Sequence, residues 1–293
     1  MELDYGRLKE IKPALSGYIR ESQALLKRSP VPDEDTIHDI RVLMKKSRAV
    51  LKLAAPQLEK ESCTKDIVAL REVGRKMCSW RESSVHRKTL KELKKEFPGI
   101  FSKLSDIVKI NNILKKPDSL DGPPEIMKAG LEEISELLNK AGYRIRFQSM
   151  NKIDHRLLIK ELEVTYTLVV YLYLTCRNNP KPDSIHELRK KSKDFLYQLF
   201  FFRPLNPSVV KALEKKLESI TQNLGKFNDL TQLVKALDYK YPVNIYQPAI
   251  DELVIKIREK QDRYLAKVWP AAYKIFCPGQ KLVNVLGFKL LII

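Results

Sequence analysis

The sequence predicts an all-α protein, and three observations carry that expectation. Apolar residues recur at three- and four-residue spacing along nearly the whole chain, and no long stretch alternates with period two. Glycine is scarce, with 10 among 293 residues, while Leu, Lys, Glu and Ile abound, a mixture that favours helix. Proline-bearing breaks such as "SPVPDEDT", "NNPKPDS" and "RPLNP" divide the periodic segments, because proline removes a donor and clashes with the preceding turn.

Each element follows from its own pattern. Residues 3–28 form a first helix, with Leu8, Ile11, Leu15, Tyr18, Ile19 and Leu26 at helical spacing. After "SPVPDEDT", whose acids suit the positive end of a helix, a second is expected over 35–54. A third spans 62–80 through Ile67, Leu70, Val73 and Met77, and a fourth starts near Arg81 and ends at "FPG". Helix continues to residue 115, and "KKPDSLDGPP" is the clearest linker. Pro124 and Glu125 open a short helix that Gly142 can terminate. The second half repeats the plan, with helices over 151–178 and 184–203, more through the 210s and 220s, and a last one over 246–275.

Charge narrows the partner. Lysine and arginine number 54 against 36 acids, a formal net charge of +18. The excess is shared, with 30 basic against 22 acidic residues up to Met150 and 24 against 14 beyond it, so this is no basic tail on a neutral body. A polyanion is the expected partner. Cys63, Cys78, Cys176 and Cys277 lack C-x-x-C spacing and "MELDYGRLKE" lacks an apolar leader, so a cytoplasmic location is expected. The longest apolar run, "LVVYLYLTC", is about half the length a spanning helix needs, and the tail "KLVNVLGFKLLII" is interrupted by Lys289. Both read as packing segments, and no membrane association is expected.

The chain also repeats itself. "IHDIR" at 37–41 returns as "IHELR" at 185–189, an offset of 148, with Lys45 matched by Lys193. "MCSWRE" at 77–82 aligns with "LGKFND" at 224–229 at an offset of 147, which also places Leu70 and Val73 on Leu217 and Ile220. Two matches in one order indicate a duplicated helical unit over 1–148 and 149–293.

Within the first copy, "HDIRVLMKKSRAVLK" sets His38, Arg41, Lys45, Arg48 and Lys52 in a sector of about 80°, opposite Ile40, Leu43, Val50 and Leu51. A merely solvated face mixes acids with bases, yet this strip holds no carboxylate over about 21 Å of helix. In the second copy His186, Arg189 and Lys193 hold the first three positions, with Lys190 beside them, whereas Leu196 and Phe200 replace the last two cations. The second helix is therefore expected to be more buried at its end, its cationic start facing the first strip across a shared groove. Two such strips repel unless something anionic lies between them.

"IHDIRVLMKKSR" and "IHELRKKSKDFLY", each followed by a motif of the "LGKFND" type, resemble the two signature regions of CHAD domains, the conserved histidine α-helical domains. The resemblance spans nearly the whole chain. It implies two four-helix-bundle-like halves related by pseudo-two-fold symmetry around a basic central cleft or pore, and binding of inorganic polyphosphate without catalysis. Matched position by position, His38, Arg41, Lys45 and Arg48 fall on the first signature and His186, Arg189 and Lys193 on the second; Lys52 and Lys190 extend the basic set. Departures are Cys78 for the motif's glycine, Arg81-Glu82 for its Arg-Asp, and Leu196 for the later arginine of the second signature. Arg81, Glu82, Asn228 and Asp229 are expected in structural or secondary roles, with Asp229 near Gly225 and Asn228 suiting a capped helix break. The implied location is the cytoplasm, in association with polyphosphate granules.

Two rivals share parts of this pattern. A nucleic-acid binder needs aromatic platforms between its cations, but Tyr197, Phe200, Phe201 and Phe202 surround their helix as core residues do. A polyphosphate or triphosphate hydrolase, or its accessory subunit, would need converging carboxylates. "ELEVT" at 161–165 resembles the Glu-x-Glu-x-Lys motif of CYTH-type triphosphatases, but it has Thr165 for the lysine, and on a helix Glu161 and Glu163 diverge by roughly 200°. No two of His38, His86, His155 and His186 are four apart, so neither metal nor cofactor is expected.

Overall fold

The computed structural model describes residues 10–29, 31–104, 110, 124–150, 153–237 and 247–287, without the side chains of residues 79, 81–83, 124–126 and 247. It is all-α, with no strand among the described residues. The first half contains α1 (Ile11–Lys27), α2 (Glu34–Ala54), α3 (Lys60–Glu96), the short α4 (Pro98–Lys103) and α5 (Pro124–Phe147). The second contains α6 (His155–Asn178), α7 (Pro182–Leu199), α8 (Pro207–Leu237), α9 (Gln247–Phe276) and the short α10 (Leu282–Leu286).

Local chemistry sets the ends. Asp33 caps α2 by accepting from the backbone N–H of Thr36 at 2.7 Å, and Glu34 and Asp35 occupy its first turn. Glu59 caps α3 through the N–H groups of Glu61 and Ser62. Prolines open α4, α5, α7 and α8, where the missing N–H is no loss.

The observed elements merge segments that the sequence divides. A single helix runs from Lys60 to Glu96, with no break at Arg81. Its first part packs on α2 and α5 together and its end, with Leu90 and Leu93, on α4 and α8, so its apolar residues share no single face and the pattern looks interrupted. α5 continues through Gly142 to Phe147, and α8 runs unbroken past Gly225, Asn228 and Asp229. In place of the end of a helix over 184–203, α7 stops at Leu199 and a 3₁₀ turn covers Phe200–Phe202. The helix expected toward residue 115, the linker after it, and residues 3–9 and 288–293 lie outside the described residues, apart from Ile110.

Packing closes two rings of four helices. α1 packs on α2, α2 on α3, α3 on α5 and α5 on α1; likewise α6 packs on α7, α7 on α8, α8 on α9 and α9 on α6. The rings meet where α2 lies on α7 and α3 on α8. One apolar core runs through both rings, from Leu15, Ile40 and Leu51 to Phe195, Phe201 and Phe276. A smaller one ties the end of α3 and α4 to α8 and α9 through Leu93, Phe101, Leu233 and Leu253. Each fully buried side chain of this size stabilises the fold by about 1.5–3 kcal/mol. The shared core fixes the two signature helices, α2 and α7, against each other, and Gln198 Nε2 donates to the Ala49 carbonyl across that contact at 3.1 Å. The tail's Leu282 and Leu286 are buried, and Asn206 Nδ2 donates to the Leu286 carbonyl at 3.0 Å.

Candidate anion-binding site

The strip on α2 is held by the neighbouring helix. Arg41 is half-buried, and its Nη1 donates to the Gly74 carbonyl on α3, while its Nε is buried with no acceptor. Arg48, two turns further, also has a buried Nε without an acceptor. Burial disfavours its charge, lowering its pKa; Asp194 opposes that, and Arg71 and Arg41 add repulsion to it. Lys45 is half-buried on the same strip, and His38 is exposed at its start. Lys52 ends the strip, and its Nζ lies 2.6 Å from Oδ2 of Asp194 on α7. A carboxylate of the chain itself therefore stands at the junction of the two signature helices.

The strip on α7 is held by α8. His186 Nδ1 lies 2.8 Å from Asn228 Oδ1, an oxygen that only accepts, so Nδ1 donates and α8 sets the ring's orientation. Arg189 lies on Gly225, where a Cβ would stand 3.3 Å from its Nε and 3.5 Å from Nη2. Its Nε is buried and has no acceptor. The glycine of "LGKFND" is thus the seat of a guanidinium. Its counterpart is Cys78, and the matching Arg41 reaches Gly74, one turn earlier. Lys193 is half-buried with Nζ 5.6 Å from the centre of the Tyr197 ring. Burial lowers its pKa, Arg189 adds repulsion, Glu218 opposes it and Lys46 repels again. With Tyr18, Lys46, Tyr197 and Glu218 it lines a pocket of about 290 Å³.

The remaining expected residues fall outside these two clusters. Lys190 is exposed and pairs with Glu187 on its own helix at 2.7 Å. His38 and Asp229 share a pocket of about 410 Å³ with Lys88, Lys226 and Lys260, between the start of α2 and α3, α8 and α9. Asn228 serves as the acceptor for His186 within an unbroken helix, so the expected capped break at 225–229 is absent. Arg81 and Glu82 lie within α3, but their side chains are outside the described residues.

Sequence reasoning missed Arg71 of α3, Lys46 of α2 and Asp194 of α7. Arg71 follows a residue of the repeat, Leu70, and its charge disfavours that of Arg48; its position after Leu70 alone could have drawn notice. Asp194 carries no motif signal. Phe201 and Phe202 are buried, as expected of core residues, whereas Tyr197 and Phe200 are half-buried and line the pocket beside Lys193. Glu161 is half-buried and Glu163 exposed on α6. Among the described residues no three His, Cys, Asp or Glu side chains group as metal ligands, and no helix is long and apolar enough to cross a membrane.

Comparison with known proteins bears on the sequence pattern and the fold. The sequence pattern of a family described as "CHAD domain" matches residues 14–238. The fold is similar to that of PptA from Streptomyces chartreusis, with a TM-score of 0.59 over 89% of this chain and 98% of that one, at 13% sequence identity. No curated protein matches the sequence.

Proposed function

The chain belongs to the CHAD domain family, and from that premise we propose that it binds inorganic polyphosphate along the basic faces of its two signature helices, as a binding module and not as a hydrolase. The observation that carries this reading is the set of three arginines, Arg41, Arg48 and Arg189, each held with a buried Nε that no acceptor meets. An unmatched buried donor costs about 1–3 kcal/mol, more when charged, so the fold keeps these groups at a cost that a ligand rich in oxygens would relieve. Polyphosphate offers about one negative charge per internal phosphate, and small rotations of the guanidinium groups would give its oxygens charge-assisted hydrogen bonds.

Repetition along the polymer adds avidity without new types of contact. In the cell such a module would be cytoplasmic and would hold polyphosphate at granules or present it to a partner.

Titration with polyphosphates of defined length at several salt concentrations tests the proposal. Affinity should rise with chain length and fall steeply with salt, as phosphate-backbone binding does. RNA or DNA that displaced long polyphosphate at equal phosphate concentration would replace this reading with nucleic-acid binding, and phosphate release in the presence of magnesium would replace it with hydrolysis.

A further inference from the structure

The repeat allows the two sides of the α2–α7 contact to be compared residue by residue. At the offset of 148, Lys46, Arg48 and Lys52 correspond to Asp194, Leu196 and Phe200; at 147, Arg71 corresponds to Glu218. Four cations of the first copy are thus replaced by two carboxylates and two apolar side chains. The structure gathers these differences into separate places. Arg48 stands among Arg41, Arg71 and Asp194 on one side, while Lys193 stands among Arg189, Glu218 and Lys46 on the other, beside the tyrosine-lined pocket.

On the Arg48 side, Asp194 is the acid that faces the cations, and it is directly bonded to the last of them. Its side chain is 16% exposed against 37% for Lys52, so the carboxylate is the more enclosed partner and is held in place. A phosphate approaching Lys52 would bring its oxygens against that carboxylate, whereas Arg48 and Arg41 keep donors that nothing occupies. Like charges at such separations repel by an amount comparable to what one contact supplies.

We propose that Asp194 is the electrostatic end-stop of the polyanion site: it claims Lys52, so that the bound chain is gripped by Arg41 and Arg48 and turns away before the end of α2. This rests on the polyphosphate reading and makes Asp194 a specificity-determining residue. Asp194 also offsets part of the repulsion that Arg41 exerts on Arg48.

The test is a titration of inorganic polyphosphate of one defined length into the wild-type chain and the variants Arg48→Ala, Lys52→Ala, Asp194→Asn and Lys52→Ala/Asp194→Asn, each first checked by thermal unfolding. Arg48→Ala should weaken binding about tenfold, the loss of one charge-assisted contact, and Lys52→Ala should change it by less than about twofold. Asp194→Asn should tighten binding several-fold and steepen the salt dependence by about one released counterion. Adding Lys52→Ala to it should remove the gain. Should Asp194→Asn fail to fold, the comparison of Lys52→Ala with Arg48→Ala decides alone. Lys52→Ala as damaging as Arg48→Ala, or a folded Asp194→Asn that binds no tighter, overturns the end-stop while leaving polyphosphate binding in place. A wild-type chain with no saturable binding overturns both.

Discussion

Arg189 rests on Gly225 because that residue has no side chain: a Cβ there would stand 3.3 Å from the guanidinium Nε. The two meet across α7 and α8, and the fit makes stability and binding separable. Gly225→Ala should leave the melting temperature unchanged or raise it, since alanine in a helix interior is favoured by about 1 kcal/mol over glycine. The methyl group would push the guanidinium off its seat by a few tenths of an ångström, and polyphosphate affinity should fall several-fold. Thermal unfolding and titration of one variant measure both effects.

Replacing Arg41, Lys45 and Arg189 together by alanine should weaken polyphosphate binding by roughly a hundredfold or more, at a net contribution of about 1 kcal/mol or more for each contact. The slope of log affinity against log salt should fall by about two to three. Each side chain is half-buried at the edge of the core and not within it, so the circular dichroism spectrum should be retained. Unchanged affinity in the folded triple variant would remove this site as the binding surface.

Binding should also depend on pH through Lys193. Burial and the neighbouring Arg189 lower its pKa, so its ammonium loses its proton at a lower pH than a free lysine would. Loss of that cation weakens binding of an anion, and affinity should decline as pH rises toward the ordinary lysine range. Lys193→Arg keeps its charge throughout and should flatten the decline. Titration across alkaline pH compares the two proteins.

Asp66 offers a test of stability remote from the site. Its side chain is fully buried in α3, bonded to Arg144 Nε at 2.6 Å, with Oδ2 lacking any acceptor or donor partner. Burial raises its pKa more than the Arg144 hydrogen bond and charge lower it. The folded state therefore holds this proton more tightly than the unfolded state, and the associated stability is lost as pH rises from about 4 through the raised value. Asp66→Asn removes that contribution to the slope, so its stability relative to wild type should improve over that interval and then level off. Denaturant unfolding across acidic pH reads the difference.

How much of this was legible in the sequence varies by residue. The helical period exposed α1, α2, α6, α7 and α9, because each buries one continuous face. It divided α3 because that helix changes packing partner along its length. His186, Arg189 and Gly225 could be marked by the repeat, yet the pattern alone suggested a capped break around Asn228. The continuous α8 instead uses Asn228 as the acceptor for His186.

The sequence by itself determined the helical class, the duplication and the concentration of positive charge on two faces, because periodicity, repetition and composition are properties of order along the chain. Only the tertiary structure decided which cations are open to a ligand. Whether Lys52 or Lys190 is committed depends on a carboxylate within reach: one finds Asp194 across the helix contact, the other Glu187 on its own helix. Coulomb attraction acts through space, at distances of a few ångströms that residues 142 positions apart attain only when the shared core brings α2 and α7 together.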